Sequence, residues 1–174
     1  IDHAGGVQAL LSLIEHHKLP KPTLLYHSNE IIIGEHIDVF ATQYGFSADD
    51  YQNPPKPDQL ADDLTELTLG SSMFKILFTP GHAPGHLALY YDQDDFSLSG
   101  DYPETLHCNR LLIAGDTLFQ GSIGRTDLPM ANHDQLIDSI KTQLLTLPET
   151  TLVCPGHGAN TTIATESQTN PFLH

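Results

Sequence analysis

Apolar residues Val7, Leu10, Leu11, Leu13 and Ile14 recur at helical spacing ahead of Pro20 and Pro22, which predicts a helix from Gly6 to Ile14. Thr23 to His27 reads as a short strand. Ile31 to Tyr44 stays open between strand and helix, because a β-branched start precedes a weaker helical period. The polar stretch from Ser47 to Asp63, with Pro54, Pro55 and Pro57, reads as a surface loop too long to be a mere connector. Leu64 to Leu69 and Met73 to Phe78, split by Gly70-Ser71-Ser72, predict a hairpin.

Leu87 to Tyr91 and Leu111 to Ala114 are further strands, the second a buried one ending at Gly115-Asp116. Asp92 to Arg110, between them, is polar and reads as irregular. His133 to Leu147 is the clearest amphipathic helix: Leu136, Ile137, Ile140, Leu144 and Leu145 share a face, and Pro148 follows. Thr151 to Cys154 returns to the sheet. No internal repeat is visible, and the mixture predicts one α/β or α+β sandwich domain over residues 1–174.

The metal-type residues fall at the ends of these strands. His82 lies in Thr79-Pro80-Gly81-His82, Asp116 in Ala114-Gly115-Asp116-Thr117 and His157 in Pro155-Gly156-His157-Gly158, each beside glycine; Asp2 and His3 precede the first helix. Loops on a rigid scaffold are where ligands and catalytic groups concentrate. Imidazole and carboxylate donors suit zinc, iron or manganese better than calcium. The bland alternatives are that Asp2 caps the helix, that Asp116 caps the segment after it, and that the histidines are ordinary surface groups.

Charge narrows the partners. The chain carries 22 acidic against 7 basic side chains, a formal net charge of -15, and only Arg110 and Arg125 offer a guanidinium fork for phosphate. Nucleic acid is therefore not an expected partner. The two cysteines, Cys108 and Cys154, are too few for a disulfide scaffold, and neither has a base beside it to mark a catalytic thiol. No apolar run reaches membrane-spanning length, so a cytoplasmic protein without a membrane partner is expected.

Thr79-Pro80-Gly81-His82-Ala83-Pro84-Gly85-His86, Gly115-Asp116-Thr117-Leu118-Phe119, Gly121 to Pro129 and Pro155-Gly156-His157-Gly158 together resemble the metallo-β-lactamase superfamily, and within it the short bacterial glyoxalase II-like hydrolases. The likeness runs from Ile1 to Leu173. In that family the first motif is His-x-His-x-Asp-His; Ile1, Asp2 and His3 match its end, and the two earlier histidines would stand ahead of Ile1. The chain thus reads as the larger part of an αββα sandwich lacking part of its N-terminal sheet.

The resemblance implies that His82 holds a first ion and that Asp116 bridges to a second held by Asp2, His3 and His157. It implies two divalent metal ions, zinc foremost with iron or manganese as alternatives, and Asp2 and Asp116 as catalytic carboxylates. It also implies cleavage of a small-molecule thiolester, such as a hydroxyacyl-glutathione, by a metal-bound hydroxide. His86 is expected to orient a neighbour rather than bind metal, and Arg125 with Asp127 to brace a loop. Two other readings stand beside this one: a persulfide dioxygenase-like enzyme with one iron held by two His and one Asp, and a fragment with no catalysis at all.

Overall fold

A computed structural model describes residues 2–47, 50–93, 95–98 and 106–174. Ile1, parts of the two polar stretches read as loops, and Ser99 to Thr105 lie outside the described residues. The chain forms two compact units, Ile1–Asp63 and Leu64–His174.

In the first unit, α1 spans Val7–His16, close to the expected helix. Its apolar stripe is not buried: Leu10 and Leu13 are each more than half exposed. Strand β1 (Leu25–Tyr26) comes next, then a 3-10 turn over Ser28–Glu30, and the open stretch from Ile31 resolves as helical, with α2 (Ile31–Gly34) and α3 (Ile37–Gln43). Tertiary hydrogen bonds hold this form against the β-branched start, since Asn53 Oδ1 accepts from the Asp38 amide at 3.0 Å and Asn53 Nδ2 donates to the Glu35 carbonyl at 3.0 Å. The stretch read as a surface loop contains a strand, β2 (Gln59–Leu60), paired in parallel with β1. Asp58 fixes that pairing by accepting from the Leu24 amide at 2.9 Å and from Lys21 Nζ at 2.8 Å. Proline-rich composition hid the strand because its partner is far away in sequence.

The second unit is built on β3 (Glu66–Leu69), β4 (Ser72–Phe78), β5 (Leu87–Tyr91), a small hairpin of β6 (Phe96–Leu98) and β7 (Leu106–Cys108), and β8 (Leu111–Gly115). After these come the hairpin β9 (Leu118–Phe119) and β10 (Ser122–Ile123), helix α4 (His133–Ser139), β11 (Leu152–Pro155), β12 (Thr161–Thr162) and α5 (Ile163–Thr169). The β6–β7 hairpin corrects the expectation of irregular chain between Asp92 and Arg110, and β12 with α5 were not expected.

One sheet has the order β12-β11-β8-β5-β4-β3. β4 and β8 are both antiparallel to β5, and β11 is parallel to β8. The C-terminal ends of β4, β8 and β11 therefore point to the same edge of the sheet. The parallel β8–β11 pair needs a crossover, which α4 supplies.

Register places Ala88, Tyr90, Leu112 and Val153 on one sheet face, and these form one core cluster with Leu136, Ile140 and Leu144 from the α4 region and Ile163 from α5. After Ser139 the helix continues as a π-helical turn over Ile140–Leu144. Ile140 and Leu144 are fully buried all the same, and burial of each such side chain is worth roughly 1.5–3 kcal/mol. The opposite sheet face, carrying Ile76, Leu89, Ile113 and Cys154, is also apolar, and Ile113 is 42% exposed. Among the described residues no helix is long and apolar enough to cross a membrane.

Candidate metal centre

The turn after β4 carries His82. Gly81, at φ 142°, lies so close to the Leu136 backbone that any Cβ would collide with it. The two ends of α4 grip this turn: the amide of Asn132, the residue ahead of the helix, donates to the Gly81 carbonyl at 2.7 Å, and Oγ of Ser139, its last residue, donates to the Pro80 carbonyl at 2.7 Å. The His82 ring is aimed by Nδ1, which lies 2.9 Å from the Arg125 carbonyl oxygen. A carbonyl only accepts, so the ring proton sits on Nδ1 and Nε2 presents its lone pair.

Asp116 comes after β8 through Gly115, at φ 51°, where a Cβ would strike the His86 ring. His86 Nε2 accepts the Asp116 backbone amide at 3.2 Å. Its proton is therefore on Nδ1, which lies 2.8 Å from Thr79 Oγ1 and 3.0 Å from Thr117 Oγ1, both on fully buried residues. With both nitrogens engaged in this way, His86 clamps the backbone of Asp116. The chain leaves Asp116 by the turn into β9, so this carboxylate has no helix to cap; likewise α1 is capped at Gly6, four residues beyond Asp2.

His157 comes after β11, and the Gly156 amide donates to the Gly115 carbonyl at 2.8 Å, tying this turn to the end of β8. The His157 ring meets Phe119 edge-on, with centroids 6.4 Å apart. The result is a convergence: His82 Nε2 and His157 Nε2 each lie 3.6 Å from the same oxygen, Asp116 Oδ2. His82 and Asp116 are largely buried and His157 is half exposed. The remaining two sequence candidates, Asp2 and His3, lie together in the first unit, exposed, with carboxylate and imidazole 3.8 Å apart.

Three donors of this kind fit a divalent cation. For His82 the lone pair of Nε2 faces a carboxylate oxygen across a gap too long for a hydrogen bond, an arrangement that a shared positive ion satisfies. The thiols fit less well as nucleophiles: burial pushes both Cys108 and Cys154 above the usual cysteine range, and Cys108 adds to the effect on Cys154. Sequence reasoning gave no role to Thr79, Thr117 and Phe119, although all three stand inside the quoted motifs.

Arg125, whose carbonyl aims His82, holds Asp127 bidentately at 2.7 Å and 2.7 Å, as the loop-bracing reading expected. The guanidinium lowers the Asp127 carboxyl to about 2. A depressed folded-state pKa contributes stability that is present above the unfolded carboxylate value and lost as pH falls through the folded one. Asp127→Asn is accordingly expected to lower stability slightly above pH ~4, with the difference closing towards pH ~2, as followed by urea unfolding across that range. The effect is small because the pair is exposed to solvent. A gap that persists unchanged to pH ~2 would remove the charge explanation.

The sequence pattern of the Metallo-beta-lactamase superfamily matches residues 1–102 and 104–157, and the chain belongs to that superfamily. It is 44% identical to the probable metallo-hydrolase YqgX of Bacillus subtilis over 117 residues, covering 67% of this chain and 48% of that one. It is 40% identical to the hydroxyacylglutathione hydrolase GloC of Haemophilus influenzae over 108 residues, 62% of this chain and 44% of that one. The match thus spans about half the length of these relatives. The crystal structure of TTHA1623 in a di-iron-bound form superposes with a TM-score of 0.72 at 35% identity, covering 99% of this chain and 72% of that one. The fold is the expected metallo-β-lactamase fold, mixed α/β with a central sheet and flanking helices.

Proposed function

We propose that the chain is a metal-dependent hydrolase acting on a small-molecule thiolester of the hydroxyacyl-glutathione kind. The observation that carries this reading is the convergence of His82 and His157 on one oxygen of Asp116. On the motif alone, His82 and Asp116 would hold a first ion, and Asp2, His3 and His157 would be ligands to a second, with Asp116 a ligand in both sets. Asp2 and Asp116 are the catalytic carboxylates in this assignment. The name of GloC supports the thiolester class, and the di-iron form of TTHA1623 supports iron beside zinc as the resident metal.

When bound, the ions supply Lewis acidity: they lower the pKa of a water and polarise the acyl carbonyl. The chain's own residues do the rest. The Arg125 carbonyl keeps the His82 proton on Nδ1 and leaves Nε2 free of a competing proton. His86 holds the Asp116 backbone still, so the carboxylate keeps its place between the two imidazoles. A thiol with an ordinary pKa near ~8.5 departs as thiolate, so the chain needs no general acid for the leaving group.

The test is thiol release from a hydroxyacyl-glutathione by protein loaded with zinc or with iron, before and after chelation. Release should fall at least ~100-fold on chelation and return when metal is restored. Metal-loaded protein that releases no thiol would sink the thiolester assignment. Uptake of a single iron with oxygen consumption would point instead to persulfide oxidation.

A further inference from the structure

Glu166 on α5 is fully buried, yet it lies outside the cluster of metal-type residues and nothing in the proposed chemistry uses it. Its carboxylate accepts three hydrogen bonds: from Thr161 Oγ1 on Oε1, and on Oε2 from the Gly121 amide at 2.9 Å and Asn170 Nδ2 at 2.8 Å. Asn170, also fully buried, donates from the same nitrogen to the Ser122 carbonyl at 3.0 Å, and its Oδ1 accepts from the Phe172 amide at 3.1 Å. Both side chains therefore grip the tip of the β9–β10 hairpin, where Gly121 turns the chain at φ 65°.

That hairpin reaches all three converging side chains. It begins directly after Asp116. Its Phe119 ring meets His157. Its outgoing strand leads through Gly124, whose amide donates to the Thr117 carbonyl at 3.3 Å, to Arg125, whose carbonyl aims His82. A buried charge is expensive unless its partners are fixed, so a carboxylate at the tip acts as a rigid anchor that a neutral loop end would not provide.

We propose that Glu166 and Asn170 are positioning residues for the metal centre, acting through the 116–125 hairpin. This rests on the reading of His82, Asp116 and His157 as metal ligands. Glu166→Gln replaces one acceptor oxygen with an amide nitrogen that faces donors, and Asn170→Ala removes the link to Ser122. Leu144→Ala serves as the comparison, because it opens a cavity in the core that also holds Leu118 and Ile123 of the hairpin but removes none of the hydrogen bonds at the hairpin tip. Zinc affinity of the full chain is measured by competition with a chelator, and hydrogen exchange of residues 117–125 is followed in the metal-free protein.

Glu166→Gln and Asn170→Ala are each expected to weaken zinc binding by ~10–100-fold and to speed exchange in the hairpin, the range that supporting hydrogen bonds around metal ligands command. Leu144→Ala should lower Tm with zinc affinity kept within ~3-fold of the unsubstituted protein. If Glu166→Gln does not fold, Asn170→Ala decides alone. Unchanged zinc affinity in the folded variants, or equal loss in Leu144→Ala, would overturn the proposal. Absence of zinc and iron uptake by the unsubstituted protein would instead overturn the metal reading, and unchanged hairpin exchange in Glu166→Gln would then reject the anchor as well.

Discussion

Asp116→Ala is expected to abolish metal uptake at the converging site and to lower thiolester turnover at least ~1,000-fold, which is ~4 kcal/mol of transition-state stabilisation. Asp116 Oδ2 is the one atom that both imidazoles approach, at 3.6 Å each, so its loss removes the centre of the donor set and not just one arm. The fold should largely survive. Asp116 is held through its backbone amide to His86, a bond that alanine keeps, so Tm of the metal-free variant should move by only ~2–4 °C. Metal content by elemental analysis and turnover on the same preparation check this. Full metal loading, or activity within ~10-fold of the unsubstituted protein, would show that Asp116 does not hold the ion.

The second large effect is expected from Gly124→Ala, a change of one methyl group. A Cβ at Gly124 would fall onto the backbone carbonyl oxygen of Asp116 and press against His82 Cβ. Neither neighbour can step aside cheaply: the first is backbone clamped by His86, and the second belongs to a ring fixed by the Arg125 carbonyl. Overpacking of this kind costs ~1–3 kcal/mol or more, and here the displaced atoms are those that set the ligand geometry. The variant should therefore lose both stability, by urea unfolding, and zinc affinity, by ~100-fold or more. Gly6→Ala is a useful contrast because a Cβ there meets nothing within 4 Å. Should Gly124→Ala bind zinc like the unsubstituted protein, the close approach of these two segments has no bearing on the centre.

The sheet of the second unit was legible because its strands are short apolar runs bounded by glycine and polar turns, and the β3–β4 hairpin follows from the Gly70-Ser71 turn. Helix α4 and the π-helical turn that continues it were legible as one helix from Leu136, Ile140 and Leu144 on one face. The β1–β2 and β6–β7 pairings were not, because a two- or three-residue strand carries too little periodicity to stand out from a loop. The stretch from Ile31 to Tyr44 stayed open for a different reason: β-branched residues favour strands, but Asn53, distant in sequence, hydrogen-bonds the Glu35 carbonyl at the end of α2 and the Asp38 amide in the first turn of α3.

By itself the sequence determined which residues are candidate metal ligands, since Pro-Gly-His and Gly-Asp at strand ends pair metal-type side chains with the glycines that let the chain turn there. Tertiary structure decided how those side chains are arranged. Two histidines four residues apart, His82 and His86, look alike in the sequence, and only their partners separate them: a carbonyl leaves Nε2 of His82 facing Asp116, whereas a backbone amide and two buried threonines occupy both nitrogens of His86. The anchor at Glu166 was beyond the reach of any local pattern, because its partner Gly121 is 45 residues away and a carboxylate's role is set by the donors that surround it in space.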